Sequence, residues 1–140
     1  MIKLILTSLG FTLLLTLAAP CSAAEGTGLE THAQKAVLIT GASTGIGRKI
    51  AEDLAQQGHF VYAGARKQKD LDALNQIKNI QAVRLDVTIQ AEIDAAVETV
   101  RKGGKGLFGL VNNAGVYIGG PLIEVDIEEL QWIMDINVNG

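Results

Sequence analysis

The residues best suited to chemistry are Thr40-Gly41-Ala42-Ser43-Thr44-Gly45-Ile46-Gly47, whose composition is that of a loop that holds a phosphate. Glycines at 41, 45 and 47 let the backbone turn without a Cβ clash, let an anion approach the main chain, and let a following helix pack closely. Before the loop, Ala36-Val37-Leu38-Ile39 is short and β-branched, as a buried strand should be. After it, Ile46, Ile50, Leu54 and Ala55 fall on one helical face. In the order strand, glycine turn, helix, the free N–H groups and positive dipole end of the helix face a bound anion.

From Lys35 on, the chain alternates short apolar runs with helix-period segments, which predicts βαβ units on a parallel sheet. Strands are expected at 36–39, 60–64, 80–85 and 107–111. Leu71, Leu74 and Ile77 mark a helix after the second strand. Ile89, Ile93, Val97 and Val100 mark one after the third, and Ile127, Leu130, Ile133 and Met134 one after the fourth. Right-handed crossovers put the strands in the order 3-2-1-4, the first half of a Rossmann-type, doubly wound α/β sheet, with the ligand at the carboxyl ends of the strands.

Three segments fall at those ends: Ala63-Gly64-Ala65-Arg66-Lys67, Leu85-Asp86-Val87-Thr88 and Asn112-Asn113-Ala114-Gly115. Glycines with three residues between the first pair and one between the second, followed by Asn-Asn-Ala-Gly, resemble the short-chain dehydrogenase/reductase family over residues 35 to 140. That resemblance implies a nicotinamide cofactor held by Gly41, Ser43, Thr44, Gly45, Ile46 and Gly47. Asp86 and Val87 would meet the adenine, and Asn113, Ala114 and Gly115 the nicotinamide side. Asn137, in Asn-Val-Asn-Gly, is similar to the family's active-site asparagine, which holds a water of the proton relay. At the end of the second strand an acid commonly binds the ribose hydroxyls of NAD; here there is none, and Arg66 offers a planar fork of donors to a 2′-phosphate. NADP is the expected cofactor.

The resemblance implies an oxidoreductase that interconverts an alcohol and a carbonyl. Its tyrosine-lysine pair has no counterpart in these 140 residues: Tyr62 is followed four later by Arg66, and Tyr117 by Pro121. The chain thus reads as the N-terminal part of an enzyme, inactive alone, whose full-length parent forms a homo-oligomer. The alternative is a non-catalytic protein that keeps the nucleotide site for sensing or scaffolding. The uncharged stretch Val116 to Leu122 borders the expected nicotinamide side and suits an apolar small-molecule substrate such as a steroid, retinoid or other lipid.

Residues 1–24 read differently from the rest. Lys3 precedes an apolar run that continues to Ala19, and Pro20-Cys21-Ser22-Ala23-Ala24 is suited to cleavage, which predicts a signal peptide or membrane anchor. Residues 25–34 form a polar linker. The body is expected to be membrane-associated through residues 4–24 or in the secretory-pathway lumen, with the cytoplasm as the alternative. Of the chain's 12 basic residues only Lys3 lies in the leader, leaving 11 against 15 acidic ones, which argues against nucleic acid as a partner. His32 has no second His, Cys or acid cluster at metal-ligand spacing, so no metal is expected.

Overall fold

The structure, a computed structural model, describes residues 34–140. The expected leader and all of the expected linker except Gln34 lie outside the described residues. Four strands, β1 (Ala36–Ile39), β2 (Phe60–Ala65), β3 (Ile80–Arg84) and β4 (Gly109–Val111), form one parallel sheet in the order β3-β2-β1-β4. Between them run α1 (Gly45–Gln56), α2 (Gln68–Asn75) and α3 (Gln90–Lys102). A 3-10 turn (Leu122–Glu124) and α4 (Ile127–Asn137) follow β4. The strand order is the one expected, and the fold is the first half of a doubly wound α/β sheet.

The central strands are apolar throughout because both their faces are covered. Val37 and Ile39 of β1 and Val61, Ala63 and Ala65 of β2 turn to one side. There they meet Ala51 and Ala55 of α1 and Leu71 and Leu74 of α2. Ala36, Leu38 and Tyr62 turn to the other, with Val83 and Leu85 and with Ala96 and Val100 of α3. Alternation along β1 and β2 therefore feeds two separate apolar layers. Pairing of Val37 with Val61 and of Ile39 with Ala63 keeps like-facing residues in register.

Helix faces depart from the expected stripes in ways the geometry explains. Ile46 sits on the same stripe as Ile50 and Leu54 but is 75% exposed, because the first turn of α1 overhangs the carboxyl edge of the sheet. The buried residues of α1 are Gly47, Ala51 and Ala55. Ile89 is the N-cap of α3 and, like Val97, is exposed; the residues that meet the sheet are Ile93, Ala96 and Val100. In α4 only Ile136 is buried, while Ile127, Leu130 and Met134 are exposed. β4 is also shorter than expected. Leu107 and Phe108 precede it and are exposed, as is Leu110 within it, since β1 is its one pairing partner among the described residues. Among the described residues, the β4 and α4 side of the sheet is thus an uncovered apolar surface.

Tyr62 is the largest fully buried side chain, and its hydroxyl has no hydrogen-bond partner among the described residues. It points at Gly103 at the end of α3, where a Cβ would collide with the hydroxyl and come 3.2 Å from the ring carbon that bears it. Gly103 is therefore required for its size. Since an unpartnered buried hydroxyl stabilises nothing, Tyr62→Phe should leave stability unchanged or raise it by up to about 1 kcal/mol. Gly103→Ala should cost about 1–3 kcal/mol by overpacking, and Tyr62→Phe in the same chain should recover most of that loss. Urea unfolding of the two single variants and the double variant checks this, and additive effects would contradict the contact.

Candidate cofactor cleft

The carboxyl ends of all four strands border a single cleft of ≈ 380 Å³, within the ordinary range for small-molecule sites. It lies where the strand order reverses, between β1, whose crossover leads to β2 on one side, and β4 on the other.

Behind the lining stands Thr40, the residue after β1, which ties the strand ends together. Thr40 is buried, and its hydroxyl accepts the backbone N–H groups of Asn113 at 3.0 Å and Ala114 at 2.9 Å. The Asn113 side-chain amide donates in return to the carbonyls of Thr40 (3.0 Å) and Gly41 (3.1 Å). Two segments more than seventy residues apart are thereby stapled beyond the last ladder bond, from Thr40 N to the Val111 carbonyl. The staple leaves no room for side chains beside it. A Cβ on Gly41, whose φ is +65°, would come 2.8 Å from Ala114 Cα. One on Gly47 would meet the Asn113 amide and come 2.6 Å from the Gly41 carbonyl. The first turn of α1 is therefore drawn against the strand ends.

That first turn has donors to spare. Thr44 is the N-cap but makes no side-chain capping bond, and the first turn contains no acidic residue. The leading N–H groups of a helix have no intrahelical acceptor. With Ser43, Thr44, Ile46 and Gly47 lining the cleft, these amides suit a diphosphate. The space that glycines leave open, the uncapped amides and the strand-end position together fit a dinucleotide.

Arg66 and Asp86 line the cleft from the ends of β2 and β3. Arg66 Nη1 is 3.6 Å from Asp86 Oδ2, with the arginine side chain 59% exposed, so the ion pair itself contributes no more than about 1 kcal/mol. Burial pushes the Asp86 carboxyl up. Hydrogen bonds from the Thr88 hydroxyl (2.7 Å) and amide (3.0 Å), with the Arg66 charge, outweigh that and hold it below the usual carboxylate range. Asp86 is thus an acceptor at neutral pH.

The remaining expected site residues divide. Val87, Asn113, Ala114 and Gly115 line the cleft. Gly45 does not; it serves the turn, with φ at +59°. Nor does Asn137, the last residue of α4. Its Oδ1 accepts the Val116 amide at 2.8 Å and its Nδ2 donates to the Val116 carbonyl at 2.9 Å. Both polar atoms of that side chain are spent on clamping the chain after Gly115. The lining also includes Ala65, Leu85, Val116 and Ile136. Of these, Leu85 and Ile136 carry no sequence signal of their own, being apolar residues at a strand end and near a helix end, whereas Val116 opens the uncharged stretch expected to border the site. Thr40 did carry one: a hydroxyl closing an apolar strand must find a partner when buried.

Residues 35–140 match the pattern of the short chain dehydrogenase family. The chain is 40% identical over 111 residues to the NADPH-dependent 1-acyldihydroxyacetone phosphate reductase of Schizosaccharomyces pombe, covering 78% of this chain and 37% of that protein. It is 34% identical over 117 residues to the mitochondrial D-beta-hydroxybutyrate dehydrogenase of Mus musculus, covering 76% and 34%. The chain thus spans about a third of the length of these relatives. Among solved structures, the 3-ketoacyl-(acyl-carrier-protein) reductase from Brucella melitensis, complexed with NADH, aligns with a TM-score of 0.70 and 33% identity over 74% of this chain and 44% of that one.

The Thr40 hydroxyl takes two part-buried amides, so the isosteric Thr40→Val should cost about 2–4 kcal/mol by leaving both without an acceptor, whereas Thr40→Ser should cost about 1 kcal/mol. Thermal or urea unfolding separates the two cases, and equal losses would show that the methyl group rather than the hydroxyl matters.

Proposed function

The chain belongs to the short-chain dehydrogenase family, and on that premise we propose that the protein it forms part of is an NADP(H)-dependent oxidoreductase acting on an apolar alcohol or carbonyl. The observation that carries this is the cleft itself: a glycine cradle, the uncapped first turn of α1 and Arg66 stand around one opening at the strand ends.

Each part of this chain has its own task in that reading. The α1 amides with Ser43 and Thr44 take the diphosphate, and Asp86 accepts a hydrogen bond from the adenine amino group while Val87 packs on the ring. Arg66 meets the 2′-phosphate with a charge-assisted fork, and no carboxylate on the end of β2 repels it. Asn113, held by Thr40, shapes the nicotinamide side with Ala114 and Gly115. The bound cofactor supplies hydride transfer. Asn137 braces Val116 beside that end of the cleft, so any part it plays in a proton relay falls to its main chain. The dependence of the Schizosaccharomyces pombe relative on NADPH supports the choice of NADP(H). An apolar substrate is favoured because Val116 to Leu122 is uncharged and Tyr117 stands free at the surface.

Arg66→Ile in the full-length protein should raise KM for NADPH by about 10–100-fold with little change for NADH, the effect of losing one charge-assisted contact. Adding Ala65→Asp, at the pocket-lining end of β2, should reverse the preference. Steady-state kinetics with both cofactors decides, and equal use of the two by the wild type would sink the NADP assignment. A polypeptide of these 140 residues, which lacks a Tyr-x-x-x-Lys pair, should oxidise no NADPH with any ketone above the background rate. Turnover proportional to its concentration would show that the proton donor lies within these residues.

A further inference from the structure

The ladder between β2 and β3 ends at the Ala65 and Arg84 pair, with a last backbone bond from Leu85 N to the Ala65 carbonyl at 3.0 Å. Arg66 and Asp86 lie just past it, so something other than the ladder must set the distance between them. Two side chains do so. Arg84 Nη1 donates to the Arg66 carbonyl at 3.0 Å, and Arg84 Nε donates to Glu92 Oε1 at 2.9 Å. Glu92 Oε2 accepts the Asp86 amide at 2.7 Å. Glu92 stands in the first turn of α3, where the helix dipole favours a carboxylate, and its side chain is only 20% exposed.

We propose that Arg84 and Glu92 are positioning residues for the adenosine end of the cofactor cleft: together they hold the main chains of Arg66 and Asp86 at the spacing at which a guanidinium and a carboxylate face one ligand. This rests on the cofactor reading above. Neither residue lines the cleft, so they act through the two that do. As an exposed ion pair the two would contribute little. Their value is directional. Glu92 must accept with both oxygens, and Arg84 must donate in two directions from a rigid fork.

That requirement separates a brace from a mere charge pair. Glu92→Gln keeps the shape but turns one acceptor into a donor, which then faces either the Arg84 Nε–H or the Asp86 N–H. Arg84→Lys keeps the charge but loses the fork. Exchanging the pair, Arg84→Glu with Glu92→Arg, keeps the attraction between opposite charges. It nevertheless sets a carboxylate against the Arg66 carbonyl and a guanidinium against the Asp86 amide.

The test titrates the full-length wild type and these three variants with adenosine 2′,5′-bisphosphate and with 5′-AMP by calorimetry, alongside KM and kcat for NADPH. Glu92→Gln should weaken both nucleotides about tenfold and raise KM for NADPH by a similar factor, with a smaller fall in kcat at saturating cofactor. Arg84→Lys should weaken them less, since the bond from the Asp86 amide survives, and the exchanged pair should restore nothing. Binding by Glu92→Gln within about twofold of wild type, or recovery in the exchanged pair, overturns the brace. Should Glu92→Gln fail to fold, Arg84→Lys decides by the same criterion. A wild type that binds the bisphosphate no tighter than 5′-AMP refutes the NADP reading alone, and the 5′-AMP series then decides the brace by itself.

Discussion

A parallel sheet that is to hold a dinucleotide must open between two neighbouring strands without coming apart, and here one hydroxyl meets that demand. Thr40 takes the two main-chain amides that follow β4, and Asn113 returns the bond to the main chain that follows β1. The strands stay tied at the point where their connections leave in opposite directions. Only small residues fit around the tie, so Gly41 and Gly47 follow from it rather than standing as separate requirements. Part-buried polar groups joined in this way are worth more made than broken, because each orphaned amide would carry a desolvation cost.

The core serves the same end. Two apolar layers, one under α1 and α2 and the other under α3, clamp β1 and β2 so firmly that their carboxyl ends become a fixed platform. Towards β4 the packing thins. Leu107, Phe108, Leu110 and most of the apolar face of α4 remain exposed among the described residues. The cleft is accordingly firmly backed where it borders the ends of β2 and β3, while towards β4 its wall depends on fewer contacts, among them the clamp of Asn137 on Val116.

At the ends of β2 and β3 the charges of Arg66, Asp86, Arg84 and Glu92 are paired with one another. Asp86 is stabilised as an anion by Thr88 and by Arg66, while the carboxylate of Glu92 absorbs the charge of Arg84. The contact between Arg66 and Asp86 is long, at 3.6 Å, and weak. Shorter bonds of 3.0 and 2.7 Å hold their main chains.

The sequence by itself determined the order of strands and helices, because apolar runs of four to six residues alternating with helix-period segments admit only βαβ units, and right-handed crossovers then allow one arrangement. It also marked the cleft. Glycine spacing, an arginine where an acid is usual, and an asparagine pair are local patterns with local physical causes. What only the tertiary structure decided was which way each side chain is spent. Ile46 belongs to the stripe of Ile50 and Leu54, yet it overhangs the sheet edge, and nothing in the helical period says where a sheet ends. Asn137 carries the residue type of a proton relay but gives both side-chain atoms to Val116. Arg84 and Glu92 read as ordinary surface charges until β3 and α3 are brought together. Periodicity reports which face of an element is buried; the partner of a polar atom depends on contacts between residues far apart in the chain, and those exist only once the sheet has assembled.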